Sequence, residues 1–264
     1  YLIAQLFQRS NTIAVVMLFN TIVTAATGAV LLLLLRLLSF SNAVSAGTVL
    51  AWGLASTAWP YSRSFFREPL IGLIWISSVT CCVSFSRTGK SIYAILCIIG
   101  LSLSISIKSA ATAAIPVFIL TFLWDSQKRR ICFSLERITL ILAAIAATGM
   151  VGLLLKSFFV ARASPDLTNY LTGYPVKEAL LRAYGAIFSP VKGLTWYSPV
   201  LVASIVGWPK MLKRHGLLVY MVLGVTLALF YAYGNIYYWH GGSVVWGPRY
   251  QLPLLVLLML PYAH

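Results

Sequence analysis

The sequence predicts an all-α fold: a polytopic transmembrane helix bundle of about nine spans, with an amphipathic helix lying along its outer surface. Three observations carry that prediction. Of the 264 residues, 60% are hydrophobic and only 9% are charged, whereas soluble domains carry roughly a quarter charged residues. The mean hydropathy is +0.88. Apolar runs close to the ~20 residues that a helix needs to cross a bilayer alternate with short polar segments along the whole chain. Such a chain packs helix on helix in lipid and satisfies its backbone hydrogen bonds inside each helix.

The expected spans cover residues 13–35, 43–59, 69–85, 91–106, 110–124, 138–159, 196–209, 217–235 and 251–263. The fourth and fifth are short and meet at "SIKSAATA", with Lys108 at the turn. A single helix over 91–124 would run about 50 Å at 1.5 Å per residue, too long for one crossing. The chain reads as one transmembrane domain, 1–264, whose only long connection is 160–195. That segment is expected on the extracytoplasmic side, with Asp166 capping a helix start at "SPD". A second start, "GYPVKEALLRAYGAIF", sets Leu180, Leu181, Tyr184 and Ile187 on one face and Lys177, Glu178 and Arg182 elsewhere, as in a surface helix. A plain linker is the alternative.

Basic segments set the orientation. "SRTGK" (86–90), "DSQKRRICFSLER" (125–137) and "KMLKRH" (210–215) fall on one side when two crossings separate each pair, and Arg36 joins them. The other side still receives Arg63, Arg67, Lys108, Arg162, Lys177, Arg182, Lys192 and Arg249. The net charge of +15 thus exceeds what the positive-inside pattern requires. The basic residues are scattered between spans, which excludes a nucleic-acid face. Cys81, Cys82 and Cys97 lie in apolar runs and Cys132 in a basic loop, with no disulfide framework and no metal-ligand spacing. No cofactor is predicted; a divalent metal requirement and the oligomeric state stay open.

Three polar clusters stand out. In "TAWPYSRSFFREPLIGLIW" (57–75), Pro60 and Pro69 bracket a loop, and Pro69 suits the first turn of the third span. Glu68 then sits at a helix N-terminus, where the backbone dipole favours a carboxylate. It is either a capping residue or the group that orients a reactant. Arg63 and Arg67 share a face if the loop is helical, and with Tyr61 they either meet lipid headgroups or hold a phosphate. In "YYWHGGSVVWGPRY" (237–250), the aromatics read as an interfacial belt, while Gly241, Gly242 and Gly247 permit turns and a close ligand approach. Arg249 is an anchor or a phosphate contact, and His240 is a structural residue or a base. Lys108, third, is a cation at membrane depth that either snorkels or serves a site.

These stretches resemble bacterial membrane glycosyltransferases of the GT-C superfamily, including the protein O-mannosyltransferase and aminoarabinose transferase types. "GLASTAWPYSRSFFREPLIGL" is similar to the Ser-Arg element that precedes an acidic residue opening a helix. "GLTWYSPVLVASIVGWPKMLKR" and "WHGGSVVWGPRYQLPLLVLLMLP" resemble that family's later motifs. The resemblance covers nearly the whole chain. It implies transfer of a sugar from a polyprenyl-phosphate donor to an acceptor at the outer face of a bacterial envelope membrane. The partners it implies are that donor and the membrane lipids. It matches Glu68 to the second acidic position, Arg63 and Arg249 to basic positions, and Lys108 to a cation between short spans. It also implies that the main catalytic Asp lies upstream of Tyr1, so that this chain is a fragment, inactive alone. Two other classes remain: a transporter or lipid flippase, and a non-catalytic membrane protein.

Overall fold

The computed structural model describes residues 12–125, 130–131, 138–139, 142, 146, 172–241 and 245–264. Their regular secondary structure is helical apart from one antiparallel ladder of two-residue strands. Helix α1 (Thr12–Leu37) is followed by α2 (Asn42–Leu54), α3 (Ala58–Tyr61), α4 (Glu68–Thr88) and α5 (Ser91–Ile107). A 3-10 segment, Ser109–Ala114, leads into α6 (Ile115–Leu123) and the ladder β1 (Trp124–Asp125) with β2 (Arg130–Ile131). Then come α7 (Val176–Phe188), α8 (Leu194–Tyr197), α9 (Val200–Ser204), α10 (Trp208–Gly234) and α11 (Leu252–Leu258).

Three helical stretches among the described residues are long and apolar enough to cross a membrane: Met17–Leu37, Glu68–Thr88 and Val200–Gly234. Several expected spans are shorter or more broken than the hydropathy suggests. The second ends at Leu54, before the short α3, and the fifth begins as a 3-10 segment. The region 196–209 is split by Pro199 into α8, α9 and a 3-10 turn. "KMLKRH", expected as a loop, is helical, because Pro209 takes the first turn of α10 and Lys and Arg are good helix formers. The break shrinks to His215 alone, whose φ of −137° and ψ of 47° kink the helix. Most of the sixth expected span, with Asp166, Arg162 and Cys132, lies outside the described residues.

Helix α4 defines two ends of the bundle. Its 21 residues rise about 30 Å, the thickness of a bilayer's hydrocarbon core. At the Glu68 end, the buried Asn20 of α1 donates to the carbonyls of Ser64 (2.5 Å) and Phe66 (2.9 Å). There too the Thr57 amide donates to Ser198 Oγ at 3.1 Å. At the Arg87 end, Arg36 donates to the Phe40 carbonyl at 2.6 Å, and the Phe40 ring packs on His264. The stretch Val200–Gly234 leaves Ser198 at the first end, reaches the second at His215 and returns to Tyr233. Helix α11 is buried on every face from Leu252 to Leu257, as expected of a helix apolar all round at the centre of a bundle.

A helix forms over Val176–Phe188, within the stretch whose pattern predicts one. Its small face, Ala179, Ala183 and Ala186, is buried, while Leu180, Leu181 and Tyr184 are exposed. Ile187 departs from the expected face and packs partly buried against the core. The alanines allow that close approach: a Cβ on Gly234 of α10 would overlap the Ala179 carbonyl.

Candidate functional site

Helix α4 starts abruptly because Pro69 occupies its first turn, which fixes Glu68 there as an acidic group next to unpaired backbone amides. The preceding loop, 62–67, is not helical. It is pinned from α1, where Thr21 Oγ1 donates to the Ser62 carbonyl at 3.0 Å beside the two Asn20 bonds. On the neighbouring side, α5 ends at Ile107 and Lys108 turns into extended backbone, φ −155° and ψ 119°. That kink aims Lys108 across to α4.

The result is a charged cluster built from three separate parts of the chain. Lys108 Nζ lies 2.7 Å from Glu68 Oε1, and Arg249 Nε lies 3.4 Å from the same oxygen. The Glu68 side chain is only 5% exposed, Lys108 15% and Arg249 20%. Tyr233 and Tyr250 stack with ring centroids 4.6 Å apart, and Lys108 Nζ sits 3.8 Å from the Tyr250 centroid and 5.0 Å from that of Tyr233. Arg249 lies over Phe66 at 4.4 Å. Burial pushes the Lys108 ammonium down to about 8, against the upward pull of Glu68. Tyr61 borders the cluster; its hydroxyl donates to the Trp246 carbonyl at 2.6 Å. Burial raises its phenol well above the ordinary value, with Arg249 opposing and Glu68 reinforcing.

Of the residues singled out from sequence, Glu68, Lys108 and Arg249 come together, with Tyr61 at their edge. Arg63 and Arg67 do not share a face, since the loop between them is not a helix. Arg63 lies 5.9 Å from the Trp59 ring centroid, and Arg67 donates to the Ile107 carbonyl at 2.9 Å, beside Lys108. His240 stands edge-on to Tyr238 and Trp239. Part of the basic excess is taken up locally: Arg182 pairs with Glu178 at 2.6 Å and caps the Ile236 carbonyl, and Lys192 bonds the Val245 carbonyl.

Sequence reasoning missed Asn20, Phe66, Tyr233 and Tyr250. Asn20 is an amide inside the first apolar span with Thr21 beside it, a signal that could have flagged it. Tyr250, a belt aromatic by its sequence context, faces Lys108.

One carboxylate against two cations leaves this cluster one positive charge in excess (two minus one), and Arg67 lies close by. A surplus cation so largely buried pays a desolvation cost that an anion completing the set offsets. Among the described residues no group of three or more His, Cys, Asp or Glu is placed to hold a metal. No family model matches the chain, and neither a curated protein nor a solved structure is significantly similar to it.

Proposed function

We propose that this chain is a multi-span membrane glycosyltransferase of the GT-C kind, using a sugar linked to a polyprenyl phosphate, with its site at the outer membrane face. The observation that carries the proposal is the positive surplus of the Glu68, Lys108 and Arg249 cluster at one end of the bundle. A sugar phosphodiester carries one negative charge and balances that surplus. Guanidinium and ammonium groups are the usual partners of phosphate oxygens.

The chemistry follows from where charge develops. An acceptor hydroxyl attacks the anomeric carbon, the bond from that carbon to the phosphate oxygen breaks, and the phosphate leaves with the electron pair. Negative charge on the phosphate grows in the transition state. Lys108 and Arg249 therefore stabilise it more than they stabilise the bound donor, which is what accelerates a reaction. Glu68 is engaged by Lys108 and Arg249. Its part is to fix those cations, and the acceptor's proton passes to a carboxylate general base, which the resemblance to GT-C enzymes implies outside this cluster.

The test is transfer from a labelled polyprenyl-phosphate sugar by the full-length protein in membranes. Arg249→Ala is expected to lower turnover at least about a hundredfold, the usual effect of losing one charge-stabilising donor. Unchanged turnover in both Arg249→Ala and Glu68→Gln removes the site.

A further inference from the structure

The opposite end of the bundle holds a cavity that the proposed reaction does not use. It has a volume of about 830 Å³ and opens between α4, α6 and α10, within the ~300–1,000 Å³ typical of ligand sites. Its walls are apolar, with Val117, Leu120 and Met221 among them, and Leu120 is 55% exposed. Its rim is cationic: Arg87 from the last turn of α4, with Lys213 and Arg214 from α10. The helix kinks at His215, and the turns on both sides of the kink line the cavity. The imidazole lines the cavity, and its buried Nε2 has no hydrogen-bond partner among the described residues.

An apolar groove ending in three cations and an unpaired imidazole nitrogen is complementary to an amphiphile with an anionic head. We propose that this cavity holds an anionic phospholipid of the surrounding membrane, its acyl chain along Val117 and Leu120 and its phosphate against Arg87, Lys213 and Arg214. The site lies about 30 Å from Glu68, one length of α4, so it is occupied by a lipid of the other leaflet and not by the sugar donor. Juxtamembrane cations attract anionic lipids through the same charge term; the groove adds a seat for the chain.

Native mass spectrometry of the full-length protein in detergent, with phosphatidylglycerol or phosphatidylcholine added, tests this. The wild type is expected to retain one phosphatidylglycerol at least tenfold more than phosphatidylcholine. Millimolar inorganic phosphate is expected not to displace it. The triple change Arg87→Gln, Lys213→Gln, Arg214→Gln should lose the preference. Leu120→Trp should lose retention with every charge intact, while Lys90→Gln, at the same end but off the cavity wall, should behave as wild type. Equal retention of the two lipids by the wild type overturns the proposal. So does displacement by phosphate, or retention unchanged by Leu120→Trp, which would mean that something else fills the groove.

Discussion

Glu68 accepts from Lys108 while Arg249 approaches the same oxygen, so its removal leaves two cations facing each other in a largely dry site. Breaking a buried pair from one side destabilises by about 3–5 kcal/mol, whereas removing both partners is far milder. Glu68→Gln is therefore expected to lower stability by about 3 kcal/mol, and Glu68→Gln combined with Lys108→Met to recover a large part of it. Thermal unfolding of the four proteins in detergent gives the coupling directly; additive losses would mean the contact is not energetic. Lys108 also carries a pH signature. Its folded value, about 8, is below the ordinary 10.5, so between those values the unfolded chain binds a proton that the folded chain does not. Stability then rises with pH across that window. Donor binding runs the other way, falling above pH 8 as the ammonium is lost. Lys108→Arg, charged throughout, should flatten that fall; a titration of donor affinity from pH 7 to 10 checks both curves.

Helix packing turns on a few small residues, and two glycines separate the cases. Gly234 meets the Ala179 carbonyl of α7, and a Cβ there would overlap backbone that cannot yield. Gly53 on α2 has nothing within 4 Å of its would-be Cβ. Gly234→Ala is expected to destabilise by about 2 kcal/mol through overpacking and to loosen α7, seen as faster proteolysis around 172–190. Gly53→Ala should be neutral or gain about 0.5–1 kcal/mol from helix propensity. The legibility of each element follows the same physics. Pro69 and the start of α4, Lys108 at the break after α5, and the amphipathic 176–188 helix were readable because each depends on local chain chemistry. Continuation of α10 through "KMLKRH" was not, because a charge run signals a loop between spans, while Lys and Arg also favour helix. Nor was the outward turn of Arg63, since the pinning of its loop by Asn20 and Thr21 is a contact between distant segments.

At the scale of the whole molecule, the polar residues divide between two ends. Glu68, Lys108, Arg249 and the Tyr61–Trp246 bond lie at one, and Arg87, Lys213 and Arg214 rim a cavity at the other. The sequence suggested this division from its basic segments and spacing, and it could not show that Glu68 touches Lys108 and Arg249 or that tyrosines wall the cations. Labelling with a membrane-impermeant maleimide measures the division in the membrane. Single cysteines at Arg63, Trp246, Lys90 and Lys213 would be introduced after replacing Cys81, Cys82, Cys97 and Cys132. Intact cells should label positions 63 and 246 and leave 90 and 213 unlabelled until the membrane is opened. Labelling of 63 without 246, or of 63 together with 90, would contradict a single charged site at one face.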